Sequence, residues 1–224
     1  MDLPIAMLVG AEERSSLSPD ARAVCDGTLE RQADADPQVI ARWSADLTEH
    51  YRELREAGVR LVAGSDAPFD CIGFGRPLIA SVELFGALGL GNHAALATVT
   101  RNAALMAGEA SGGMVAPGAP ADLVLLGANP LEDLGALHDV RAVMLRGQWV
   151  GDAATEGAPA TADAAAPETT LYRGARVWNG AGFEPRDLAV RGGVFVDPAT
   201  ATAPRVVALS GRFVTPALAD AHNH

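Results

Sequence analysis

The chain has 224 residues, enough to bury a sizeable core, and 49% hydrophobic against 20% charged residues is a globular rather than a disordered balance. Its formal net charge of -11 repels phosphate backbones, so nucleic acid is not an expected partner. All 17 basic residues are arginine, which excludes Schiff-base chemistry and a carbamylated-lysine metal bridge supplied by this chain.

In chain order, Leu3–Val9 is a short apolar run that reads as a buried strand. No basic region precedes it, so it is not expected to be a signal peptide, and no apolar run in the chain reaches membrane-spanning length. Residues 10–36 read as loop with some helix. From Asp36-Pro37 the sequence predicts an amphipathic helix, with aspartate at the cap and proline in the first turn. Val39, Ile40, Trp43, Leu47, Tyr51 and Leu54 recur at helical spacing, and Gly58 ends the element. Val59–Ala63 then reads as a buried strand running into Gly64-Ser65-Asp66-Ala67-Pro68, and helices are predicted over Leu78–Leu88 and from Asn92 to about Ala107. Strand, helix and strand in alternation is the rhythm of a parallel sheet or barrel.

Beyond Gly112 the rhythm becomes one of short strands: Ala121–Leu126, Val140–Leu145 and Gln148–Val150, the last two joined by Arg146-Gly147. Residues 151–170 hold only small, polar or acidic side chains and read as a flexible linker. After it come Leu171–Trp178, a hairpin over Leu188–Val196, and Arg205–Leu209. The two β segments show no self-similarity and read as complementary halves. Cys25 and Cys71 lie far apart without CxxC spacing, so reduced thiols and a cytoplasmic location are expected, with a structural disulfide as the alternative.

The chemistry concentrates at two places. In a strand, His222 and His224 point to the same face, where two neutral imidazoles can reach one divalent ion; a pair of surface histidines is the alternative from those residues alone. Asp66, at the end of an apolar run, sits where barrel enzymes place catalytic groups; capping the Ser-Asp-Ala-Pro turn is its ordinary role. Arg76 follows in a loop and either meets a substrate carboxylate or stays solvated. His50, His93 and His138 fall in a polar helix register, after a helix cap and in a loop, which makes them poor ligands. Glu83 is read as structural and Asp122 as fixing a turn.

GRFVTPALADAHNH resembles the start of the first barrel strand of the metal-dependent amidohydrolase superfamily, where a Pro-Gly-hydrophobic-x-Asp-x-His-x-His run supplies two metal ligands. It departs from that run at Ala217, where glycine is usual, and at Ala219, where a larger apolar residue is usual. AGVRLVAGSDAP resembles the eighth barrel strand, and LATVTRNAALMAG, GGMVAPGAPADLVLLGANPLEDL and VRAVMLRGQWV resemble the end of the barrel and the return to a small β-sandwich. LYRGARVWNG through VALS resembles the sandwich's beginning. The likeness is strongest to the imidazolonepropionase-like and prolidase-like branch.

The resemblance implies an α/β plus β fold: a partial (β/α)8 TIM barrel with a composite β-sandwich. It assigns residues 1–111 to the barrel's C-terminal portion, 112–150 to half of the sandwich, 151–170 to the linker, 171–215 to the other half and 216–224 to the first strand. It implies His222, His224 and Asp66 as metal ligands, with Asp66 also the general base. The ion would be zinc, with iron, manganese or cobalt as alternatives. The substrates would be small molecules with a C–N bond to hydrolyse, such as amides, cyclic amides or dipeptides. Strands two to six of the barrel are absent from the sequence. The chain is therefore expected to be a slice across two tandem modules, inactive alone. A permuted protein completed by another subunit, or a non-catalytic metal-binding assembly module, is the alternative.

Overall fold

The computed structural model of the chain describes residues 14–15, 17–34, 36–67, 75–150, 169–202 and 204–222. They form two compact units: residues up to Val99 joined by the segment that starts at Asp220, and Thr100–Ala219. The expected strand at Leu3–Val9, most of the linker, Cys71 and His224 lie outside the described residues.

The first unit is helical. Helix α1 (Pro19–Ala33) starts where the Ser18 hydroxyl accepts from the Ala21 amide at 3.3 Å. Helix α2 (Pro37–Glu56) is the element read from Asp36-Pro37. The Asp36 carboxylate accepts from the Gln38 amide at 2.8 Å, satisfying one of the helix's orphan donors, and Gly58 follows at φ +73. On its solvent side, Arg52 pairs with Glu49 and Glu56 at 2.5 Å each, and the Arg52 hydrogen bond holds the Glu49 carboxyl below its ordinary range. The apolar stripe of α2 is only partly used. Tyr51 meets Phe85 edge-on with ring centres 5.2 Å apart, whereas Val39 and Trp43 are 62% and 60% exposed.

Helix α3 (Arg76–Phe85) runs into a π-helical turn, Gly86–Leu90, whose Gly89 carbonyl accepts from Arg55 of α2 at 2.6 Å. The single helix expected from Asn92 is instead two, α4 (Asn92–Thr98) in this unit and α5 (Arg101–Met106) at the start of the second. The break falls in Thr98-Val99-Thr100, three β-branched residues that lose side-chain freedom in a helix, and all three are buried. Val59–Ala63, expected as a strand, has no regular secondary structure.

The second unit is a sheet of eight strands: β1 (Leu123–Leu126), β2 (Val140–Leu145), β3 (Gln148–Val150), β4 (Thr170–Trp178), β5 (Phe183–Arg191), β6 (Val194–Val196), β7 (Arg205–Ala208) and β8 (Phe213–Pro216). The order is β3-β2-β1-β8-β4-β5-β6, with β7 also on β4. Strands from both sides of residues 151–168 therefore share one sheet: β8 lies between β1, antiparallel, and β4, parallel. Strand β4 changes partner along its length, from β7 at Thr170–Arg173 to β8 at Arg176–Val177. The change occurs at Gly174, whose φ of +79 accommodates the bulge.

In a flat sheet β1 and β6 would stand about 19 Å apart, four strand spacings. Instead, just before β1, Ala121 donates to the Gly193 carbonyl at 2.9 Å and Ala119 accepts from the Phe195 amide at 2.9 Å. The sheet is therefore curled, and Met144 of β2 and Phe195 of β6 share one core with Leu123, Leu125, Val177 and Val214. Each fully buried side chain of this size contributes about 1.5–3 kcal/mol relative to exposure. Among the described residues, no helix is long and apolar enough to cross a membrane.

Candidate functional site

The stretch Ala63–Ala67 is irregular, and six of its backbone polar groups find hydrogen-bond partners, as burial favours. The Ala63 amide donates to the Thr98 carbonyl at the end of α4, 3.3 Å, and the Ala63 carbonyl accepts from the Ala221 amide, 3.0 Å. The Gly64 carbonyl accepts from the Ser81 hydroxyl of α3 at 3.2 Å. The Ser65 amide and hydroxyl donate to the two oxygens of Asp220, at 3.0 and 2.5 Å, and the same hydroxyl accepts from the Ala67 amide at 3.1 Å. The Asp66 amide donates to the His222 carbonyl at 3.0 Å. Two chain segments far apart in sequence are thereby laced side by side, running in the same direction.

Gly64 allows them to come this close. A Cβ at that position would stand 2.7 Å from His222 Cβ and 2.9 Å from His222 N, closer than side-chain carbons pack. Asp66 takes φ +59, the left-handed region that aspartate tolerates better than most non-glycine residues. The lacing brings Asp66 Oδ1 to 3.1 Å from His222 Nε2, with the two side chains 49% and 64% exposed, so the pair is open to solvent.

This spacing fits a divalent ion. Two donors on a tetrahedral zinc with ligand bonds near 2.0–2.1 Å stand about 3.3 Å apart. Carboxylate oxygen with imidazole nitrogen is also a donor set suited to zinc and its first-row neighbours. Two of the three expected ligands are thus together, and the third, His224, lies outside the described residues. Among the described residues, no group of three or more His, Cys, Asp or Glu side chains is placed to hold a metal ion.

The remaining residues named from the sequence fall elsewhere. Arg76 is not in a loop; it is the first residue of α3, exposed, because Gly75 at φ +90 turns the chain into the helix. His50, His93 and His138 are exposed on α2, α4 and the 3-10 turn Leu134–His138. Glu83 lies in α3. Asp122 fixes a turn as expected: its Oδ1 accepts from the Arg146 amide at 2.5 Å, holding the β2–β3 hairpin turn where Arg146 has φ +48. Cys25 corrects the expectation of reduced thiols: it is fully buried and disulfide-bonded. A disulfide forms only where tertiary packing allows it, which cysteine spacing does not encode.

Asp220, Ser65 and Gly64 were not singled out from the sequence. Asp220 stands in the Asp-Ala-His-Asn-His run, and Gly64-Ser65 directly precede Asp66, so adjacency to the candidate ligands was the available signal. A separate cavity of about 130 Å³, bordered by Val115, Pro117, Arg186, Leu188 and Phe195, belongs to the sheet unit and shares no residue with the Asp66–His222 pair.

A sequence model described as Amidohydrolase family matches residues 26–151, more than half of the chain and a range that includes Asp66. No curated protein matches the chain.

Proposed function

Since the chain belongs to the amidohydrolase family, hydrolases of amide and other C–N bonds, we propose that it carries part of a metal-dependent centre built on Asp66, His222 and His224. The observation that carries this reading is the 3.1 Å approach of Asp66 Oδ1 to His222 Nε2. We further propose zinc as the ion, with iron, manganese or cobalt as alternatives, and small cyclic amides, amides or dipeptides as substrates. In this reading the fold is a partial (β/α)8 barrel with a composite β-sandwich, of the imidazolonepropionase-like and prolidase-like branch. The rest of the barrel comes from a parent chain or another subunit.

When bound, the divalent ion supplies Lewis acidity toward the scissile group. The chain's own part is positional and protonic. His222 and Asp66 hold their donor atoms at one point in space before any ion arrives, which reduces the ordering cost of binding. The Asp66 carboxylate accepts the proton of the attacking water and returns it to the leaving nitrogen, general base and then general acid. Its exposure leaves room for water and substrate to reach it.

A second reading, a non-catalytic metal-binding assembly module, draws on α2, whose Val39 and Trp43 stand exposed. One experiment separates the two. The zinc-loaded chain is assayed on a panel of cyclic amides and dipeptides, alone and with a polypeptide supplying barrel strands two to six. The hydrolase reading expects no turnover alone, and turnover on reconstitution that Asp66→Asn abolishes. Zinc binding without turnover in any reconstitution supports the module, and turnover that survives Asp66→Asn contradicts the role given to Asp66.

A further inference from the structure

The metal-centre reading names the donors but leaves open what sets their spacing. Asp66 and His222 come from segments without regular secondary structure among the described residues, joined by the Asp66–His222 and Ala221–Ala63 backbone bonds. One carboxylate spans both segments. Asp220 Oδ1 accepts from the Ser65 amide at 3.0 Å and from the His222 amide at 3.2 Å, while Oδ2 accepts the Ser65 hydroxyl at 2.5 Å. Ser65 is itself 5% exposed and its two bonds to Asp220 are partly buried, whereas the His222 bond is exposed; a charged acceptor makes such bonds shorter and stronger than a neutral one.

Each contact falls beside a candidate ligand. Ser65 is the residue before Asp66, and the second Asp220 donor is the amide of His222 itself. The Ser65 hydroxyl passes the restraint on to the Ala67 amide, so both flanks of Asp66 are tied to one acid. Without that carboxylate, the Ser65 amide and hydroxyl and the His222 amide all lose their acceptor at once. The Ala221–Ala63 and Asp66–His222 backbone bonds and the exposed side-chain pair also join the segments, and none of them involves the Asp220 carboxylate.

We infer that Asp220 is a positioning residue: its carboxylate clamps Ser65 to His222 and thereby sets the separation of the Asp66 and His222 side chains. The inference rests on the metal-centre reading for its consequence, while the clamp itself is a statement about this chain's backbone. Residues that orient metal ligands without touching the ion typically change affinity 10–100-fold when removed, and Asp220 belongs in that range.

The test uses the full 224-residue chain with Asp220→Ala, Asp220→Asn and Ser65→Ala, and reads two quantities. The first is hydrogen-exchange protection of the Asp66 amide, with the Leu125 amide of β1 as an internal control for the sheet. The second is the dissociation constant for Co(II), followed by its visible absorption. Asp220→Ala is expected to lose protection at Asp66 while Leu125 keeps it, and to weaken Co(II) binding at least tenfold. Asp220→Asn, which retains one acceptor oxygen, and Ser65→Ala should fall between it and the parent. Unchanged Asp66 protection in Asp220→Ala overturns the clamp. So does an unchanged Co(II) affinity where the parent binds the ion. If the parent chain takes up no Co(II), the metal-centre reading fails, and the clamp is decided by the Asp66 protection alone.

Discussion

At Gly64 a methyl group has nowhere to go. The nearest atoms are His222 Cβ, N and O, within 2.7–3.1 Å, and two of the three are backbone that rotamer changes cannot move. Gly64→Ala is therefore predicted to push the two segments apart at a cost of about 1–3 kcal/mol, in the range of overpacking a tight site. Urea unfolding checks the cost, and a parallel loss of Co(II) affinity checks its location. Tyr172 offers a different residue-level test. Burial raises its phenol above the ordinary value of about 10, with Trp149 and Arg205 opposing this in part. Below pH 10 the phenol is neutral in folded and unfolded chains, and its contribution is fully present. As pH rises past that value, the unfolded chain loses the proton first, so stability falls until the folded phenol also ionises. The chain has no lysine to obscure this range. Urea midpoints should drop between pH 9 and 11, and Tyr172→Phe should flatten the drop. At this scale Asp66 and His222 were singled out from the sequence because a metal needs their side-chain chemistry, and the structure brings those two side chains to 3.1 Å. Asp220 and Gly64 were not, because what they do depends on which distant backbone lies against them. The Cys25 disulfide escaped for the same reason.

Among the elements, legibility followed how local the determining physics is. Helix α2 was readable from its cap, spacing and terminal glycine, and strands β2 and β3 from their apolar runs around a glycine turn. The division of α4 from α5 depended on weighing three adjacent β-branched residues against an otherwise helical run, and the helical pattern obscured it. The irregularity at Val59–Ala63 was not readable, because whether an apolar run becomes a strand depends on which distant segment lies beside it. The bulge in β4 gives this scale its prediction. Gly174 has φ +79, and an added Cβ would stand 2.7 Å from the Ser210 Oγ. Gly174→Ala is expected to cost about 1–2 kcal/mol for the left-handed backbone alone. The contact with a movable hydroxyl should add less. A loss of amide protection in β7 and β8 together would locate the damage at the point where β4 changes partners; an unchanged unfolding midpoint would mean the bulge relaxes freely.

For the molecule as a whole, the arrangement of strands says more than their number. The β segments before and after residues 151–168 are hydrogen-bonded into one curled sheet. They interleave, with β8 seated between β1 and β4, so that each segment buries the other's core-facing side chains. Cutting the chain between Val150 and Thr169 should therefore leave two fragments that co-elute on gel filtration and separate only in denaturant. Fragments that part under native conditions would show that the shared sheet depends on the covalent link. The sequence indicated two complementary β segments; their strand order was beyond it, because pairing across the linker is set by the combined core and not by either segment's own pattern.

The central claim, that Asp66 and His222 hold a divalent ion with His224, is tested most directly by X-ray absorption at the zinc edge of the zinc-loaded full-length chain. The account predicts a first shell of nitrogen and oxygen at about 2.0–2.1 Å, with the multiple scattering of two imidazoles. The imidazole contribution should fall by half in His222→Ala. A shell without imidazole scattering, or one unaltered by His222→Ala, would place the ion elsewhere and contradict the account.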